Sequence, residues 1–70
     1  MTTRTLTAVL HQEGDLWVAE CPEVGTVSQG GSPDEAIANL KEATEVYLEE
    51  FPTSTEAGRW LITTFEAAYG

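Results

Sequence analysis

Apolar and polar side chains alternate through residues 4–11, "RTLTAVLH", with Leu6, Ala8 and Leu10 on one side and Thr5 and Thr7 on the other. A period of two rich in β-formers predicts a first strand there. "QEGD" follows as a polar turn in which Gly14 can take a positive φ. "LWVAEC", residues 16–21, predicts a second strand, closed by Pro22, which has no N–H to give to a ladder. After the turn "PEVG" comes "TVSQ", a short third strand. Strands so close in sequence are most simply joined as a meander of hairpins.

The period changes after Gly30-Gly31. "SPDE" carries a helix start, with Ser32 as N-cap, Pro33 at the first helical position and Glu35 completing a capping box. Asp34 and Glu35 also oppose the positive end of the helix dipole. Ile37, Leu40, Thr44, Tyr47, Leu48 and Phe51 recur at spacings of three and four, which puts them on one face. Glu42, Glu45, Glu49 and Glu50 fall largely on the others, and the helix should stop before Pro52. "TSTEAG" reads as a loop, and "RWLITTFEAAY" begins β-branched and aromatic, predicting a fourth strand over 59–65.

The expected architecture is a single α+β domain over residues 1–70 in the order β-β-β-α-β, with one helix packed on a four-stranded mixed sheet. One helix covers one face of such a sheet, yet both faces of these strands carry large apolar groups. Leu16 and Val18 oppose Trp17 and Ala19, while Trp60 and Ile62 oppose Leu61 and Phe65. An uncovered apolar face marks an interface. A chain of 70 residues also buries too little surface to be robust alone. Disulfides within the monomer are excluded by the single Cys21, and Cys21 with His11 makes a poor zinc set. Self-association is the support that remains, and a homo-oligomer is expected.

Charge narrows the partners further. Twelve acidic residues against Arg4, Lys41 and Arg59 give a formal net charge of −9. Such a chain repels phosphate backbones, so direct nucleic-acid binding is not expected, whereas association with a basic protein surface would be accelerated. "MTTRTLTAVLHQEG" has no secretory h-region and no apolar run is long enough for a membrane helix, so a cytoplasmic protein without membrane contact is expected.

Residues able to do chemistry are few. His11 stands at a predicted strand end without a serine or second histidine at a recognisable spacing, and reads as a surface histidine. Cys21 has neither a nearby cation nor a helix N-terminus in the sequence to activate it, and reads as a small buried residue. Glu13, Asp15, Glu20 and Glu23 gather around the first hairpin, as a metal-dependent nuclease would require. Glu13 and Asp15 are turn residues, however, and the first strand contributes no acid. Gly25, Gly30 and Gly31 lack P-loop spacing and read as turn residues. No catalytic, cofactor-binding or metal-binding residue is expected.

The stretch "EGDLWVAECPEVGTVSQGGSPDEAIANLKEATEVYLEE" resembles the HicB-like antitoxin family. The resemblance covers residues 13–50. It rests on Trp17, Pro22, Gly25, Gln29-Gly30, Ser32, Glu35-Ala36, Glu42-Ala43 and Tyr47-Leu48 in that order. The turn "PEVG" is shorter than the usual form with a second proline, and no helix-turn-helix or ribbon-helix-helix segment follows. The resemblance implies a partial ribonuclease-H-like fold without its carboxylate set and a type II antitoxin that covers a small basic HicA-type ribonuclease; fuller members bind operator DNA through the segment missing here, so no separate DNA-binding domain is expected. The candidate partner-binding residues are Glu42, Glu45 and Glu49 on the helix, with Trp17 and Trp60 on the strands. A stand-alone homo-oligomer without a toxin, and a carboxylate-dependent nuclease, are the rival readings.

Overall fold

A computed structural model describes residues 3–52 and 61–70. Strands β1 (Val9–Glu13), β2 (Leu16–Cys21) and β3 (Thr26–Gly30) form an antiparallel meander, and helix α1 (Pro33–Glu50) packs on one face of it. The described residues thus form an α+β unit of two layers.

Each connection follows from its turn chemistry. Glu13 pairs with Leu16 across a two-residue turn, and Gly14 takes a φ of 60° at its first central position, which suits the tight hairpin that glycine there permits. Four residues join Cys21 to its partner Thr26, and Gly25 closes that turn at φ 90° with its N–H donating to the Cys21 carbonyl at 2.7 Å. At the helix start the Ser32 hydroxyl accepts from the Glu35 N–H at 3.1 Å. The Glu35 carboxylate reaches back one residue further than a capping box requires, to the Gly31 N–H at 3.1 Å. Phe51 caps the other end, its N–H donating to the Tyr47 carbonyl at 2.9 Å.

Register assigns the faces. Leu10, Ala19 and Ser28 stand in one cross-strand row, and Cys21 with Thr26 and Trp17 with Gly30 in others on the same side. This is the helix side: Ala19, Cys21, Ala36 and Leu40 are the buried apolar core among the described residues, with Leu6, Leu10, Trp17 and Val24 packed at its margin. The helix lies over β3 and β2. Two polar contacts fix it there: the Thr26 and Thr44 hydroxyls bond at 2.7 Å, and the Asn39 amide donates to the Gln29 carbonyl at 2.8 Å.

Three expectations need correction. The first strand runs over Val9–Glu13 instead of 4–11, because the two-residue turn pairs Val9 with Glu20 and leaves only Pro22 and the next turn opposite residues before Ala8. The buried helix stripe is centred on Ala36, Leu40 and Thr44, while Ile37 and Phe51 are exposed at its flank and end. Gly30 is a buried strand residue under the helix start and not a turn glycine. Residues 61–65 of the expected fourth strand join no ladder among the described residues, and Arg59 and Trp60 lie outside them.

Candidate functional site

The candidate residues distribute over three surfaces. On α1, Glu42, Glu45 and Glu49 follow one another at i, i+3 and i+7, so the helix brings them onto one strip. All three are exposed, and the strip lies away from the Ala36–Leu40–Thr44 stripe that meets the sheet. Lys41 bonds Glu45 at 2.9 Å across one helical turn. Both partners are well exposed, so this pair does little for stability, and its effect is to soften the field at Glu45, the middle member of the strip.

The second surface is the sheet face turned away from α1. Register places Val9, Glu20 and Val27 in one row there, and His11, Val18 and Gln29 in the next, with Glu13 and Leu16 beside the turn. Val9, Leu16 and Val27 are among the exposed large apolar side chains. His11 Nε2 is 3.5 Å from Glu13 Oε1 on this face. Trp17 is on the opposite, helix side, half-buried at the margin of the core, so it does not contribute to the open face. Trp60 lies outside the described residues.

The four hairpin acids do not converge. Glu13, expected in the turn, is instead the last residue of β1, so the first strand does carry an acid; it belongs with Glu20 to the open sheet face, while Asp15 is in the turn and Glu23 is committed elsewhere. Among the described residues no three His, Cys, Asp or Glu side chains are gathered to hold a metal ion. No described helix is long and apolar enough to cross a membrane.

Glu23 builds a feature that sequence reasoning missed. Its two oxygens accept from the Thr7 N–H at 3.1 and 3.0 Å, and Oε2 also accepts from the Thr7 hydroxyl at 2.7 Å. The Cys21 thiol donates to Oε1 at 3.6 Å. This carboxylate therefore pins the chain ahead of β1 to the β2–β3 turn. Burial pushes the Glu23 carboxyl upward, but the hydrogen bonds from the Thr7 hydroxyl, its own N–H, the Thr7 N–H and the Cys21 thiol outweigh it and hold the carboxyl below its ordinary value. Burial, reinforced by the Glu23 charge and only partly offset by the Val24 and Glu23 N–H groups, pushes the buried Cys21 thiol up. It is a protonated core residue at neutral pH.

The pin carries a pH dependence of definite sign. A carboxyl whose value is depressed by folding stabilises the folded form above its unfolded value and ceases to do so as pH falls through the folded one. The Thr7 amide should therefore lose its hydrogen-exchange protection and shift its resonance in a step with a midpoint below 4.5, the ordinary value for this carboxyl. Glu23→Gln should abolish that step. A Thr7 amide that titrates identically in the variant would show that another group holds the segment.

The third surface is a groove of about 670 Å³ between the segment ahead of β1 and the flank of α1. Leu6, Ala8, Ile37, Leu40 and Leu48 line it. Comparison with known proteins gives no match: no family model, no curated protein and no solved structure is significantly similar to the chain.

Proposed function

We propose that this chain is a non-catalytic protein-binding module, a type II antitoxin of HicB-like kind that neutralises a small basic HicA-type ribonuclease in the cytoplasm. The observation that carries the proposal is the strip of Glu42, Glu45 and Glu49 on the outer side of α1, in a chain of net charge −9. A ribonuclease must offer lysines and arginines to phosphate, and an acidic strip on a rigid helix competes for that same surface. The open sheet face, with Val9, Leu16 and Val27, supplies apolar area for burial next to partner or copy.

The resemblance at residues 13–50 motivates the antitoxin assignment, and the β-β-β-α order of the described elements agrees in kind with it. On this reading residues 59–65 complete a four-stranded mixed sheet of partial ribonuclease-H type, and the protein works as a homo-oligomer. The exposed apolar residues equally favour a stand-alone homo-oligomer, which would lack a basic partner altogether.

The two readings separate experimentally. The chain should be captured by a small basic ribonuclease encoded beside it and should rescue growth when the two are co-expressed. Replacing Glu42, Glu45 and Glu49 together with Gln should slow association at low salt by about tenfold and flatten its salt dependence. An unchanged association rate would leave the helix strip without a role in recognition. Absence of capture by any such neighbour would leave the stand-alone oligomer.

A further inference from the structure

The ladder between β1 and β2 stops one residue short of the core. Its last pair is Val9 with Glu20, and the register carried one step further sets Ala8 opposite Cys21, outside the ladder. Residues 3–8 carry no secondary structure. Leu6 and Thr7 are half-buried there, Leu6 at the margin of the core, while Thr3, Arg4, Thr5 and Ala8 are exposed. A segment ahead of a ladder depends on its side chains to stay in place, and such segments open at lower free energy than paired strands.

The Glu23 carboxylate attaches this segment at Thr7, accepting from the hydroxyl at 2.7 Å and from the N–H at 3.0 and 3.1 Å. The same carboxylate accepts from the Cys21 thiol at 3.6 Å, so it ties the segment down directly beside a core residue. Cys21 is only 2% exposed. Its other neighbours belong to the folded body: Thr26 across the ladder of β3, and Ala19, Ala36 and Leu40 in the core. On the flank toward the helix the segment has open space. The groove lies between Leu6, Thr7 and Ala8 on one wall and Ile37 and Leu48 of α1 on the other. The segment thus lacks, on that flank, the close-packed neighbours that hold an ordinary core element in place.

We infer that residues 3–8 are a hinged strap, latched at Thr7 by Glu23, which swings away about Val9 while the sheet and α1 stay folded and so opens the groove into the core at Cys21. The hinge position follows from the ladder, since β1 is paired from Val9 onward. Opening breaks the Thr7 bonds to Glu23 and lifts Leu6 from the margin of the core. It costs no ladder pair and no contact among Ala19, Ala36 and Leu40. Cys21 is the group it uncovers, and a thiol reacts through its thiolate once solvent and reagent reach it. Cys21 is therefore the built-in reporter of the strap. The inference is independent of the proposed binding role.

Alkylation of Cys21, the only cysteine, by iodoacetamide in the full chain at mildly alkaline pH reads the opening. The urea-unfolded chain supplies the rate of the free thiol. Below the unfolding transition the wild-type rate should be nearly independent of urea, because lifting the strap exposes little surface. Two substitutions separate the strap from global unfolding. Thr7→Val keeps the side-chain shape and the Glu23 charge but removes the hydroxyl bond, and should speed alkylation without urea by about tenfold, the scale of a hydrogen bond to a charged group. Ser32→Ala removes the helix cap far from the strap and should raise the unfolded fraction by about fivefold, read by helix circular dichroism, while leaving that rate unchanged. A rate that climbs with the full urea slope of unfolding, and rises with Ser32→Ala as it does with Thr7→Val, would overturn the strap. A urea-independent rate that Thr7→Val does not alter would overturn the latch at Glu23.

Discussion

Leu40→Ala should lower the unfolding free energy by about 2–5 kcal/mol, the range for removing a fully buried aliphatic side chain. The size of the effect follows from the composition of the core. Its other buried apolar members are Ala19, Cys21 and Ala36, so Leu40 is its only large aliphatic group among the described residues. Small neighbours held by strand register and by the Thr26–Thr44 bond cannot move in to fill the space. A domain of this size has a total stability of only about 3–5 kcal/mol from one core, so the variant should be largely unfolded at physiological temperature. Urea denaturation followed by helix circular dichroism measures this directly. Ile37→Ala is the control: with its side chain 42% exposed and opening on the groove, its loss should be well under half that of Leu40→Ala. Equal losses would mean that the helix is rotated about its axis from the orientation described.

This contrast shows what the sequence made legible and what it did not. Features governed by local chemistry were readable: the positive φ at Gly14, the Ser32 cap with Pro33 behind it, the end of β2 at Pro22, and the helix stop ahead of Pro52. The strip of Glu42, Glu45 and Glu49 was readable too, because helical spacing alone puts those residues together. Periodicity could not tell how much of the helix face would be covered. Ile37 and Leu40 carry the same apolar signal, and only the position of α1 over β3 and β2 separates a core residue from a groove residue. The start of β1 failed for a similar reason. Residues 4–8 have strand composition, but a strand needs a partner, and the register set at Gly14 gives those ahead of Ala8 none. Glu23 was grouped with the hairpin acids by proximity in sequence, whereas the fold turns it toward Thr7, sixteen residues away. A hydrogen bond of that span leaves no local signature.

Gly30→Ala should be the other severe substitution, and its neighbour Gly31 supplies the comparison. A Cβ at position 30 would lie 2.7 Å from the Ala36 nitrogen, 2.8 Å from Glu35 Cγ and 2.9 Å from the Glu35 carbonyl carbon. Two of these are backbone atoms in the first turn of α1, and the third belongs to a side chain held by its bond to the Gly31 N–H. None can yield without lifting the helix start from β3. That movement would loosen Ala36 from the core, draw Asn39 away from the Gln29 carbonyl and disturb the Ser32 cap. Overpacking of this kind costs about 1–3 kcal/mol, with the upper end expected where backbone must shift. At Gly31 a Cβ would meet only Glu35 Oε1 at 4.0 Å, so Gly31→Ala should fall within about 0.5 kcal/mol of the wild type. The two glycines are adjacent and identical in the sequence, and what separates them is that Gly30 pairs with Trp17 beneath the helix while Gly31 has already left the sheet. Paired denaturation curves for the two variants therefore measure how closely α1 approaches β3. Similar stabilities for both would place the helix start farther from the strand than the 2.7 Å approach requires.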